Sequence, residues 1–259
     1  MRITLTKQEF ASCVEFAQKC ALNQQQIEFG QTDTKPRKVS EISRDNLIGK
    51  MAEVAFAKML HERYGIDIEL DFNYYPRGKW DDQDAEINGW RIDIKATRKG
   101  GYFLLVEWSK LDFRQKQNKL SHLYVMASVD WDRTRDMPNG AIDLVGCASI
   151  QKLRPDASFT HVLRKGDYIP YTNKVLQADN YGISFTDLER DWDGVVSYIL
   201  NNPPPDLANY PNPFTLRPLM TSQPVKQENI VPAEETAMLP RKSRRSFAEW
   251  IRKLLRCPE

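Results

Sequence analysis

The sequence predicts an α/β or α+β domain in which a central mixed β-sheet is flanked by helices. Two observations carry that class: helix-period apolar spacing near both ends of residues 1–202, and a series of short, strand-like segments between them. A third sets the scale, because 259 residues with 41% hydrophobic content can bury one large core. The charged fraction of 28% and a mean hydropathy of -0.58 suit a soluble protein.

Residues 6–23 are expected to be helical. Thr6 and Glu9 make a capping box, and Phe10, Cys13, Val14, Ala17 and Ala21 recur at helical spacing. A polar, proline-containing loop then runs through Val39. The stretch "SRDNLIGKMAEVAFAKMLHERYG", residues 43–65, predicts a second helix with Asp45 as its cap and Gly65 as its stop. Leu47, Ile48, Met51, Ala52, Ala55, Met59 and Leu60 supply its core stripe. Glu53 sits at the margin of that stripe, where the small side chains of Gly49 and Ala57, one turn away on either side, would leave its carboxylate open.

Strands are expected over residues 67–74, in a hairpin within residues 81–97, and from Tyr102, Leu123 and Ala141 onward. Residues 109–120 read as a polar, basic, partly helical connection. A smaller β segment is expected between Phe159 and Phe185, around "RKGDYIPY", and "DWDGVVSYILNN" predicts a helix closing the domain at residue 202. Residues 203–240 are proline-studded and aperiodic, as a linker is. In 241–259 a pattern returns, with Phe247, Trp250, Ile251 and Leu254 set against Arg245, Arg252, Lys253 and Arg256. A short basic amphipathic helix fits, able to dock on its own domain, on a protein partner or on nucleic acid.

No run approaches the roughly 18 apolar residues of a membrane span, and the first residues lack a secretory pattern, so a cytoplasmic protein with no membrane partner is expected. Cys13, Cys20, Cys147 and Cys257 form no CxxC pair and read as reduced packing residues. With His61, His122 and His161 scattered, histidine and cysteine metal chemistry is not expected. The net charge of +2 neither favours nor excludes nucleic acid, but the basic clusters at 35–38, 98–101, 114–119 and 241–245 could together follow a phosphate backbone.

The chemistry concentrates in "DDQDAEINGWRIDIKAT", residues 81–97. Asn88-Gly89 signals a type I′ hairpin turn, because both positions require φ > 0. Counting outward sets Ile87 opposite Trp90, Glu86 opposite Arg91, Ala85 opposite Ile92, Asp84 opposite Asp93 and Asp82 opposite Lys95. One face is apolar. The other carries the acids with Arg91 and Lys95, and its Asp84/Asp93 pair sets two like charges about 5 Å apart, an arrangement that destabilises unless a cation intervenes.

A helix bearing Glu53 in "GKMAEVAF", an aspartate entering a hairpin, and Asp93-Ile94-Lys95 on the returning strand resemble the PD-(D/E)XK nuclease superfamily, which has the restriction-endonuclease-like fold. The resemblance covers residues 40–150 in the order helix, strand, hairpin and further strands. It implies that Asp84, Asp93, Lys95 and Glu53 are catalytic. It also implies a Mg²⁺ ion, with Mn²⁺ as substitute, held by Asp84, Asp93, the carbonyl of Ile94 and Glu53. No proline precedes the first acid, and Asp81 and Asp82 compete with Asp84 for that place.

Phosphodiester hydrolysis needs a cation that neutralises the phosphate and acidifies water, and Mg²⁺ takes only one or two carboxylates. Lys95 would orient the attacking water. The expected function is a metal-dependent DNA endonuclease in restriction, phage defence, recombination or mobile-element processing. The same chemistry serves RNA, and homodimers are common in the superfamily. The alternative is a nucleic-acid-binding or assembly subunit that retains the fold without turnover.

Overall fold

In the computed structural model, residues 1–25, 38–73, 83–108, 120–153 and 157–207 are described. The chain divides into Met1–Leu216 and Arg217–Glu259, and every described residue belongs to the first unit. The elements run β1 (Arg2–Thr4), α1 (Lys7–Gln25), α2 (Val39–Tyr64), β2 (Ala85–Ile87), β3 (Trp90–Arg98), β4 (Phe103–Glu107), β5 (Leu123–Asp132), β6 (Met137–Ser149), β7 (Thr160–Leu163), β8 (Asn180–Ser184) and α3 (Trp192–Asn201). The fold is mixed α and β.

α1 starts as expected, with the Thr6 N–H donating to Glu9 Oε2 at 2.6 Å and the Glu9 N–H to Thr6 Oγ1 at 3.2 Å. α2 corrects the expectation at one end. It begins at Val39, four residues before Ser43, with Glu41 accepting the Lys38 N–H at 3.1 Å, so Asp45 lies inside the helix and caps nothing. Its stop is Gly65, at φ 64, whose N–H bonds the His61 carbonyl at 3.0 Å. α1 packs along α2, and Cys13, Cys20, Ala17 and Ala21 are buried there. Cys147 is likewise a buried free thiol.

The main sheet has the order β1-β6-β5-β3-β2, with β3 and β5 parallel and the other neighbours antiparallel. On β3 and β5 the residues Ile92, Ile94, Val125, Ala127 and Val129 are buried, and α2 packs against these strands. Tyr124 and Met126, which alternate with them, point the other way into a second cluster with Ala148, Leu104, Val106, Tyr181 and Ile183.

That second cluster belongs to a sheet the sequence did not announce. β4, expected in the central sheet, pairs instead with β8, and β8 with β7, giving an antiparallel order β4-β8-β7. The small β segment expected between Phe159 and Phe185 is two strands, β7 and β8, and "RKGDYIPY" lies in the connection between them, where Tyr168 bridges Val175. β1 was not foreseen either, being a three-residue edge strand paired to β6. β6 starts at Met137 and not at Ala141.

Residues 67–73 form no strand. Phe72 instead packs edge-on against Phe16 of α1 at 5.8 Å, and the Asp71 carbonyl accepts the Lys50 ammonium of α2 at 2.7 Å. Residues 74, 81, 82, the connection 109–119 and the stretch 208–259, with most of the linker and all of the basic tail, lie outside the described residues.

α3 matches its expectation, with Asp191 as N-cap accepting the Gly194 N–H at 3.0 Å. Among the described residues no helix is long and apolar enough to cross a membrane.

Candidate metal centre

The hairpin forms in the expected register: Ile87 pairs with Trp90, Glu86 with Arg91 and Ala85 with Ile92 around Asn88 (φ 48) and Gly89 (φ 78). The turn is held from outside. Asn88 Nδ2 donates to the Ile199 carbonyl at 3.0 Å, and Trp90 Nε1 to the Asn202 carbonyl at 2.8 Å. On the other side of β3, His122 Nδ1 accepts the Arg91 N–H at 2.8 Å. Burial pushes the His122 pKa down to about 4, with the nearby Arg91 charge acting in the same direction.

β2 stops at Ala85, one residue short of Asp84. Antiparallel alternation would send the Ile94 N–H to the backbone of residue 83. It goes instead to Asp84 Oδ2, at 2.5 Å. The Asp84 side chain thus replaces a rung of the ladder where the strands part, and the Ile94 carbonyl points to the same open edge.

Asp93 and Lys95 lie two residues apart on one face of β3. The Lys95 ammonium straddles the Asp93 carboxylate, hydrogen-bonding Oδ1 at 2.6 Å and touching Oδ2 without forming an aligned hydrogen bond. Asp93 Oδ2 is buried and, among the described residues, has no hydrogen-bond partner. Burial raises the Asp84 pKa to about 6, and the Asp93 charge adds to it. Lys95, the Ile94 N–H and Lys50 act against the rise without cancelling it. Two carboxylates therefore share a site with too little positive charge, which is the electrostatic condition a divalent cation relieves.

Glu53 behaves differently from its expectation. Its carboxylate is not open: the side chain retains 16% of its exposure and forms an ion pair with Lys50, whose own side chain retains 5%. The cause is local. Gly49 and Ala57 leave room, but Lys50, three residues before Glu53, turns onto the same face. Its ammonium lies between Phe16 at 4.4 Å and Phe72 at 5.1 Å from the ring centroids. That burial makes the Lys50 charge a structural one.

Asp84, Asp93 and Lys95 are brought together, with Ile94 between the last two and Lys50 near enough to act on Asp84. Glu53 is committed to an ammonium. Among the described residues no three His, Cys, Asp or Glu side chains group to hold a metal ion. The groups that could hold a cation here are two carboxylates, Asp84 and Asp93. Sequence reasoning missed His122 and the bond from the Asn88 side chain to the end of α3, which hold the hairpin from both sides; the Trp90 to His122 ring contact at 5.7 Å has no signature in spacing. No family model, curated protein or solved structure matches this chain.

Proposed function

We propose that the protein is a metal-dependent endonuclease hydrolysing DNA phosphodiester bonds, built on the restriction-endonuclease-like plan and serving restriction, phage defence, recombination or mobile-element processing. The observation that carries this reading is the parting of the hairpin at Asp84 and Asp93, with Lys95 against the second acid. Asp84, Asp93 and the Ile94 carbonyl are the groups that would hold Mg²⁺ or Mn²⁺.

The cation supplies charge neutralisation at the phosphate and acidifies the attacking water. The protein supplies orientation. The Ile94 N–H fixes one oxygen of Asp84 and so aims the other, while Lys95 holds an ammonium ready to exchange Asp93 for a phosphate oxygen as negative charge develops there. Glu53 acts indirectly, keeping the Lys50 charge beside Asp84.

The test is cleavage of supercoiled, linear and branched DNA with Mg²⁺ or Mn²⁺. Lys95→Ala should lower the rate by about 10²-fold or more. DNA left intact with both metals, together with melting that ignores them, would refute the proposal.

A second reading, a nucleic-acid-binding or assembly subunit without turnover, is favoured by one observation, the commitment of Glu53 to Lys50. It predicts nucleic-acid binding indifferent to metal and to Lys95→Ala. The basic tail offers such a subunit a contact for DNA, RNA, a protein or a second copy. Deleting residues 241–259 should then weaken binding and flatten its salt dependence.

A further inference from the structure

Outside the carboxylate site, exposed aromatic surface gathers at one place. Tyr102 and Tyr171 are 48% and 67% exposed, at the edge of the second sheet and in its β7–β8 connection. The Tyr171 ring stacks on Phe103 at 6.3 Å with 14° between planes, and meets Tyr102 edge-on at 5.7 Å. Gly182 beneath lets the floor lie flat, since a Cβ there would come within 3.0 Å of Leu163 Cδ1 and 3.3 Å of Leu105 Cδ2.

Tyr171 occupies a position that costs the fold something. The Thr172 N–H bonds the Ile169 carbonyl at 3.0 Å across Pro170-Tyr171, and Tyr171 has φ 63. This is a type II turn with a tyrosine where glycine or asparagine belongs. A bulky residue in the left-handed region is strained. Core burial does not repay it, because most of the ring faces solvent.

The charge around these rings is sorted. Lys165 and Lys174 are exposed. The nearby acids are turned into the backbone: Asp167 accepts the Arg164 N–H and Asp179 the Lys165 N–H, both at 2.8 Å. Arg98 and Lys99 lead into Tyr102 through the Gly100-Gly101 turn, seven residues from Lys95 and so within about 25 Å of it.

We infer that Tyr102 and Tyr171 form a platform on which the unpaired bases of a single DNA strand stack, with Lys165 and Lys174 of the same β7–β8 connection meeting its phosphates. Rings accept every base face, so the platform is sequence-tolerant. It excludes duplex DNA, whose bases are already stacked on one another. The choice of DNA over RNA rests on the nuclease reading; the stacking does not.

The experiment is fluorescence anisotropy of the full chain in EDTA, where hydrolysis plays no part. The probes are a dye-labelled thymidine 20-mer, an abasic strand of the same length, a duplex and a uridine 20-mer. The thymidine strand should bind about tenfold or more tightly than the abasic strand and the duplex. Tyr102→Ala and Tyr171→Ala should each lose about tenfold, and Tyr171→Phe should bind as wild type. Tyr171→Gly separates binding from folding, for it should lose affinity while raising Tm through relief of the turn. Equal binding of thymidine and abasic strands, or wild-type affinity in Tyr171→Gly, overturns the platform. Uridine bound tenfold more tightly than thymidine overturns the assignment to DNA. Lost stacking with intact Lys95-dependent cleavage removes the platform alone, and stacking without cleavage removes the nuclease reading alone.

Discussion

Replacing Asp84 with asparagine should stabilise the metal-free protein at neutral pH while abolishing cleavage. Asparagine keeps an oxygen to accept the Ile94 N–H and removes the charge that Asp93 and burial oppose. The folded-state pKa of Asp84 is raised from 3.8 to about 6, so the folded protein binds its proton more tightly than the unfolded chain does. Its contribution to stability is therefore intact below about 3.8 and falls as pH rises to about 6. The gap corresponds to about 3 kcal/mol at pH 8, or roughly 6–12 °C in Tm for a domain of this size. Asp93→Asn should gain less, because it relieves Asp84 but strips Lys95 of its partner. Urea and thermal unfolding in EDTA at pH 4, 6 and 8 measure this directly. Adding Mg²⁺ at about 100 times its Kd should stabilise wild type by about 2.7 kcal/mol and either variant by much less. If Asp84→Asn is destabilised at pH 8, or if its offset is the same at all three pH values, the charge-pair reasoning is wrong.

His122 supplies a contribution of opposite sign. Its folded pKa of about 4 lies below the ordinary 6.5, so the stability it confers is full above about 6.5 and is lost as pH falls through 4. In urea titrations across pH 4–6.5, Asp84→Asn should thus steepen the rise of stability with pH. His122→Asn, which keeps an acceptor for Arg91, should flatten or reverse it. Lys50→Met should destabilise by about 3–5 kcal/mol by removing the buried ammonium that Glu53 and the Asp71 carbonyl share, and the double variant with Glu53→Leu should recover part of that in a thermodynamic cycle. Gly146→Ala would set its Cβ 2.6 Å from the Glu189 carbonyl oxygen, against the paired Cys147 and Glu189 backbones, and should cost about 3 kcal/mol by urea unfolding.

The parts of the fold legible in the sequence were those written by local chemistry. Thr6 and Glu9 announce α1, Gly65 ends α2, Asn88-Gly89 fixes the hairpin register, and "DWDGVVSYILNN" marks α3. These signals act within a few residues, where spacing determines contact. The errors arose where a distant partner decides. Residues 67–73 alternate as a strand would, yet they form none, and Phe72 meets Phe16 of α1. "YFLLVEW" has the composition of a central strand, but its partner is β8, some eighty residues later. At the site, Asp84, Asp93 and Lys95 were legible because one hairpin carries all three. The fate of Glu53 was not, since it depends on Lys50 being enclosed by Phe16 and by a segment whose path the sequence does not reveal.

The latch between the hairpin turn and the end of α3 bears on the order in which the molecule matures. Asn88 and Trp90 bond carbonyls of Ile199 and Asn202, more than a hundred residues downstream. At about 5–20 residues per second, a ribosome needs roughly 6–20 s to deliver those carbonyls after Trp90 has been made. During that interval the acids and Lys95 exist on a strand pair that nothing clamps at its tip. A nascent chain would carry Asp84, Asp93 and Lys95 well before this latch could close, so the clamped hairpin arises only near the end of the domain's synthesis.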